Sequence, residues 1–235
     1  MRNLLKNKWS RWLGVLCGIS LLITAAGVGW NQWNRYQEEK NQLTLQQIEQ
    51  MRGEYPMAAA PAGMEYLWRP VEAKIGISDT FIYAEIIGGK NYYSRTVSMG
   101  DDELDEKLEA KGGNTFTYFE VPVRIIQDSE GLYREGDEIT ICANCIFEDT
   151  APRMEPGMKI VASISNDSTG TQPDYRKSYG LIGFYYVTDD DYAIAAFPEY
   201  NPSTAEFDGN EPSTLTRSGY TSGLKVDALL RRLKK

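Results

Sequence analysis

The sequence predicts a mainly β domain, a barrel or a sandwich, carried behind a single N-terminal transmembrane helix and a helical stalk. One short inserted helix and one C-terminal helix complete the expected fold. Three observations predict it. An uncharged run at residues 12–30 is bracketed by tryptophans. Runs rich in β-branched and aromatic residues, punctuated by Gly, Pro, Asn and Asp, recur through residues 64–200. The closing stretch "LKVDALLRRLKK" spaces its leucines as a helix does.

The first of these is the membrane anchor. As a helix, residues 12–30 span roughly 28 Å at about 1.5 Å per residue, which matches a hydrocarbon core of about 30 Å. Trp9 and Trp12 sit at one end, Trp30 and Trp33 at the other, where indoles favour the headgroup layer. A cleaved leader is the alternative. A basic start precedes the apolar core, and Ala25, Ala26 and Gly27 offer small residues to a signal peptidase. Helix compatibility through Trp30, with no proline at the exit, argues for retention. A lipobox does not fit, because Leu16 precedes Cys17.

Arg2, Lys6, Lys8 and Arg11 have no acid among them, which sets residues 1–11 in the cytoplasm and the C-terminal domain outside. Gly14 and Gly18, then Ala25 and Gly29, repeat a small-xxx-small step. Such residues let two helices approach closely, so they are candidate packing positions for a homodimer through the anchor.

The organisation expected is a basic segment (1–11), the anchor (12–33), a stalk and Pro/Ala hinge (34–63), an extracytoplasmic β domain (64–200), and a polar loop with a basic C-terminal helix (201–235). In the stalk, Leu45, Ile48 and Met51 recur at helical spacing, predicting a helix that runs from the membrane to about Arg52.

Composition excludes several functions. The whole chain has net charge −8, and with the basic start set aside the rest is more acidic still, so nucleic acid is not an expected partner. There is no histidine, which removes Ser-His-Asp and Cys-His catalysis and the commonest zinc ligand. No cofactor is expected. Cys142 and Cys145 form C-x-x-C, but they follow the alternating strand "DEITI" instead of opening a helix, where a thiolate would be activated. They are expected as a structural pair, either a local disulfide or two packed thiols. A disulfide would require "CANC" to turn, because an extended strand holds Cα atoms three residues apart too far from each other.

In the β domain, a strand from Thr80 should end at Gly88-Gly89, with "NYYSRTVSM" as a second strand. "DDELDEKLEA" reads as a short helix with acids at its N-terminus. "TFTYFEVPVRIIQD" alternates, with Phe116, Tyr118, Glu120 and Pro122 on one face and Thr117, Phe119, Val121, Val123 and Ile125 on the other. Pro122 cannot donate to a ladder, so an edge or bulge belongs there. "DEITIC" and "KIVASIS" are further strands, and two more flank a turn at Asp189, Asp190 and Asp191.

The order "ISDTFIYAEIIGG", "YFEVPVRIIQDSEGLYREGDEITIC", "MEPGMKIVASIS", "GFYYVTDDDYAI" resembles OB-like β-barrel ectodomains of poorly characterised membrane-anchored surface proteins from Gram-positive bacteria. The shared features are Ser78-Asp79 at the first strand, the long strand 116–126, "GDEITI" from Gly136, and "GMK" from Gly157. A Lys-Gly turn usual before the third strand is replaced by Arg134-Glu135-Gly136. The resemblance implies a small closed barrel and brings no catalytic residue with it.

Function is expected to be non-catalytic: a membrane-anchored interaction module, accessory to a protein complex of the cell envelope. A glycan or cell-wall binder is the alternative, from the tyrosines of "NYYS", "KSYG" and "FYYV". An enzyme using a thiol or carboxylate pair is the third. Arg231, Arg232, Lys234 and Lys235 are candidates for surface binding, or simply cations favoured by a helix C-terminus.

Overall fold

A computed structural model describes residues 32–34, 36–38, 40–58, 78–96, 101–110, 113, 115–166, 176–180, 183–197 and 221–234. The anchor up to residue 31, with Gly14, Gly18, Ala25 and Gly29, lies outside them, as do the expected hinge from residue 59 on and Lys235. Among the described residues no helix is long and apolar enough to cross a membrane. The chain divides into two compact units, Met1–Asn41 and Gln42–Lys235. The first contributes only helical residues between 32 and 41, with the exposed rings of Trp33 and Tyr36 at 6.2 Å.

The second unit is mainly β. Its strands are β1 (Thr80–Ile86), β2 (Asn91–Thr96), β3 (Thr115–Asp128), β4 (Glu138–Asn144), β5 (Lys159–Ser165), β6 (Arg176–Tyr179), β7 (Tyr185–Val187) and β8 (Ala193–Ala195). Its helices are α1 (Leu45–Gln50), α2 (Asp102–Glu109) and α3 (Val226–Leu233), with a 3₁₀ turn at Cys145–Thr150.

The pairings return on themselves. β1 pairs antiparallel with β3 and with β5, β3 with β4, and β5 with β6. A short parallel contact between β4 and β6 completes the circuit. Off it, β2 pairs with β3, β7 with β5, and β8 with β7. β3 is long enough to take β1 along 123–128 and β2 along 115–120 on the same edge.

Pro122 falls at that handover. The Ile87 amide donates to the Pro122 carbonyl at 3.0 Å, but proline can return nothing, so the β1 ladder stops. The residue that passes over its ring must be small: a Cβ on Gly88 would sit 2.7 Å from Pro122 Cγ. The ladder break expected at Pro122 is therefore a change of partner strand. A register shift between Tyr83 and Ala84 adds a separate irregularity on the same strand pair.

Period-two alternation splits the apolar residues into two cores. Ile82, Ala84 and Ile86 of β1 join Phe119, Val121, Val123, Ile125, Ile141, Ile160, Ile164 and Tyr186 in one. Phe81 and Tyr83 point the other way, with Val161, Tyr185 and Val187, and α3 covers them through Val226, Leu229, Leu230 and Leu233. β1 is thus buried on both faces except at Glu85. Gly183, at φ +88°, lets Phe81 approach; a Cβ there would meet the ring at 2.7 Å.

One expectation needs correction. The stalk does not run as one helix to Arg52. It breaks at residues 42–44, and α1 starts afresh at a capping box in which Thr44 Oγ1 accepts from the Gln47 amide at 3.3 Å. Ile48 and Tyr55 then enter the first core, so residues 42–58 belong to the β unit. The expected C-terminal helix is present, and its apolar face roofs the second core. Of the two forms left open for the C-x-x-C pair, a disulfide or two thiols, Cys142 and Cys145 are both free thiols. β4 stays extended through Asn144, which removes the turn that a bond would need.

Candidate functional site

The antiparallel ribbon of β2 with the first half of β3 presents exposed aromatic and hydroxyl side chains. Its register pairs Tyr92 with Phe119, Ser94 with Thr117 and Thr96 with Thr115, while Tyr93 pairs with Tyr118 and Arg95 with Phe116. Directly opposed residues share a face. One face therefore presents Tyr92, Ser94, Thr96, Thr115 and Thr117, all exposed, and the Thr96 and Thr115 hydroxyls meet at 3.2 Å. The other presents Tyr93, Arg95, Phe116 and Tyr118, all half-buried. There the rings of Tyr93 and Tyr118 stack at 5.4 Å and 18°.

At the inner end of the exposed face, the 3₁₀ turn after β4 brings up Glu148. Its carboxylate accepts from the Tyr92 hydroxyl at 2.6 Å and meets Lys90 Nζ at 3.5 Å. Lys90 Nζ also lies 4.9 Å from the centre of the Phe119 ring. The hydrogen bond to Glu148, more than burial, holds the Tyr92 hydroxyl above its ordinary pKa, so the phenol stays protonated. Tyr92 keeps 58% of its surface exposed even so.

Of the predicted residues, only Cys145 reaches this cluster. Burial and the negative charge of Glu148 push its thiol up, with Lys90 pulling the other way, so it is not an activated thiolate. Cys142 is buried three residues earlier, on β4. Arg231 and Lys234 are exposed and Arg232 is half-buried, in the last turn of α3 and just past it. The apolar face of that helix is occupied by the second core, so insertion into lipid would require it to undock.

The three tyrosine stretches part company. Tyr179 of "KSYG" and Tyr185 and Tyr186 of "FYYV" are buried, whereas "NYYS" supplies the ribbon. The Asp189–Asp191 stretch forms the β7–β8 hairpin turn, with Asp191 at φ 57° accepting from the Tyr83 hydroxyl at 3.0 Å. Lys90 and Glu148 were not singled out from the sequence; nothing in "GGKN" or "IFEDT" marks them before the register is known.

No protein-family model matches the chain, and a search of curated proteins finds no relative.

Proposed function

We propose that this chain is a non-catalytic binding module of a cell envelope, tethered by residues 12–33 with its C-terminal domain outside the membrane. The observation that carries the reading is the β2–β3 ribbon. Beyond Phe119, which is buried in the first core, the same face of the ribbon runs out into exposed Tyr92, Ser94, Thr96, Thr115 and Thr117, and the Tyr92 ring is pinned at its hydroxyl. Binding surfaces favour aromatic groups held rigidly, because little conformational freedom is lost on contact. The absence of histidine from the sequence supports a non-catalytic role.

For the domain itself we adopt an OB-like barrel. The circuit of β1, β3, β4, β6 and β5 supports it, with every contact antiparallel except β4 with β6. The resemblance to Gram-positive surface ectodomains, a homodimer through Gly14, Gly18, Ala25 and Gly29, and an accessory place in an envelope complex belong to the same proposal.

Photo-crosslinking in the native cell tests it. A photoreactive residue placed at Tyr92 should give an adduct of raised mass. One placed at Leu132, exposed on the loop between β3 and β4, should not. Equal adducts at both positions, or none at Tyr92, would remove the ribbon from the account.

A further inference from the structure

We infer that the exposed face of the β2–β3 ribbon is a binding site for a neutral glycan, with Tyr92 as the ring on which a sugar stacks. This rests on the binding-module reading above and names its ligand class.

Charge argues first. The chain is acidic, at −8, and a quarter of its residues are charged. Yet the exposed side chains of this face are one phenol and four hydroxyls: Tyr92, Ser94, Thr96, Thr115 and Thr117. None is charged at neutral pH. A phosphate or uronate polymer would find no cation on it, and a basic peptide no anion. The charge at its inner end is paired within itself, as Lys90 with Glu148. A polyol suits such a face, since each hydroxyl both donates and accepts.

Geometry argues second. A sugar ring presents axial C–H groups to an aromatic plane, and that contact needs an open ring surface held in place. Tyr92 is exposed and is fixed at its hydroxyl by Glu148 at 2.6 Å. Tyr93 and Tyr118, on the opposite face, stack against each other and are half-buried, so their facing surfaces are already occupied. The face is also extended along the strands. The Ser94–Thr117 and Thr96–Thr115 pairs follow Tyr92 along the strands at steps of roughly 7 Å. That favours a polymer lying along the ribbon over a single sugar.

The test uses the full chain in detergent micelles, mixed with insoluble cellulose, chitin or β-1,3-glucan, and with crosslinked polygalacturonate as the acidic comparison. At least one neutral polymer should deplete the protein from solution, and polygalacturonate should not. Tyr92→Ala should weaken retention about tenfold, roughly the loss of one well-placed contact, with Tyr92→Phe within about threefold because the ring remains. An unchanged thermal midpoint for both variants shows that the fold is intact. Failure of every neutral polymer to retain the protein, or retention indifferent to Tyr92→Ala, overturns the inference. So does preference for polygalacturonate. Retention that follows Tyr93→Ala instead, or a protein adduct at Tyr92 without glycan binding, ends this assignment and leaves the binding-module reading standing. Loss of both glycan binding and adducts ends both.

Discussion

The hydroxyl of Tyr92 on β2 donates to Glu148 at 2.6 Å across 56 residues of sequence, and Glu148 lies three residues beyond the Cys145 thiol. One carboxylate therefore serves two neighbours: it fixes a ring and raises a thiol pKa. In a Cys17→Ser background, Glu148→Gln should speed alkylation of Cys145 by iodoacetamide at about pH 8, because the thiolate becomes easier to form. Lys90→Gln should slow it, since the cation that favours the thiolate is gone. Rates that move in the opposite senses would show that the charges act on Cys145 differently.

The contact between Gly88 and Pro122 sets a steric limit. A methyl group at Gly88 would lie 2.7 Å from a ring that the β3 backbone holds in place. Gly88→Ala should destabilise the domain by about 1–3 kcal/mol, as overpacking does. Gly89→Ala, with nothing within 4 Å, should fall within about 0.5 kcal/mol of the parent. Urea denaturation distinguishes the two.

Leu229 of α3 is fully buried against the second core. Leu229→Ala should cost about 2–5 kcal/mol, and exposed Lys234→Ala less than about 0.5 kcal/mol. If Leu229→Ala were neutral by denaturant midpoint, α3 would not be docked as described.

Tyr83 makes stability sensitive to alkali. Burial first, then the hydrogen bond to Asp191, raises its pKa well above that of a free tyrosine. The unfolded phenol titrates at its ordinary value while the folded one stays protonated. The stabilising contribution is therefore complete below about pH 10 and is lost as pH rises from there toward the folded value. Tyr179 and Tyr186, both raised chiefly by burial, add in the same sense. Stability should fall above about pH 10, and Tyr83→Phe should flatten that fall while removing about 1 kcal/mol at neutral pH. Denaturation midpoints between pH 8 and pH 11, taken as about two points per unit, would read the slope.

Local patterns in the sequence carried much of this fold. The alternation of "TFTYFEVPVRIIQD" placed Phe119, Val121, Val123 and Ile125 inside, and the structure agrees. Gly88-Gly89, Pro156-Gly157 and the Asp189–Asp191 stretch marked turns at the right places. The stalk was misjudged although its own signal was present: "TLQQ" is a capping box, and it restarts the helix at Thr44. β6 was not legible. Arg176–Tyr179 is four mostly polar residues, and it becomes a strand by lying parallel to β4, a contact far away in sequence. The candidate site depends on register in the same way. "NYYS" drew notice for its tyrosines, but only pairing to β3 separates exposed Tyr92 from half-buried Tyr93, and only the 3₁₀ turn delivers Glu148.

Display outside the membrane is the claim on which the functional account turns. It is tested most directly by a cysteine at exposed Leu132, Leu132→Cys, with Cys17 and Cys145 changed to serine, and a membrane-impermeant maleimide added to intact cells. The account predicts that position 132 is labelled without permeabilisation. Labelling that requires lysis of the cells would contradict it.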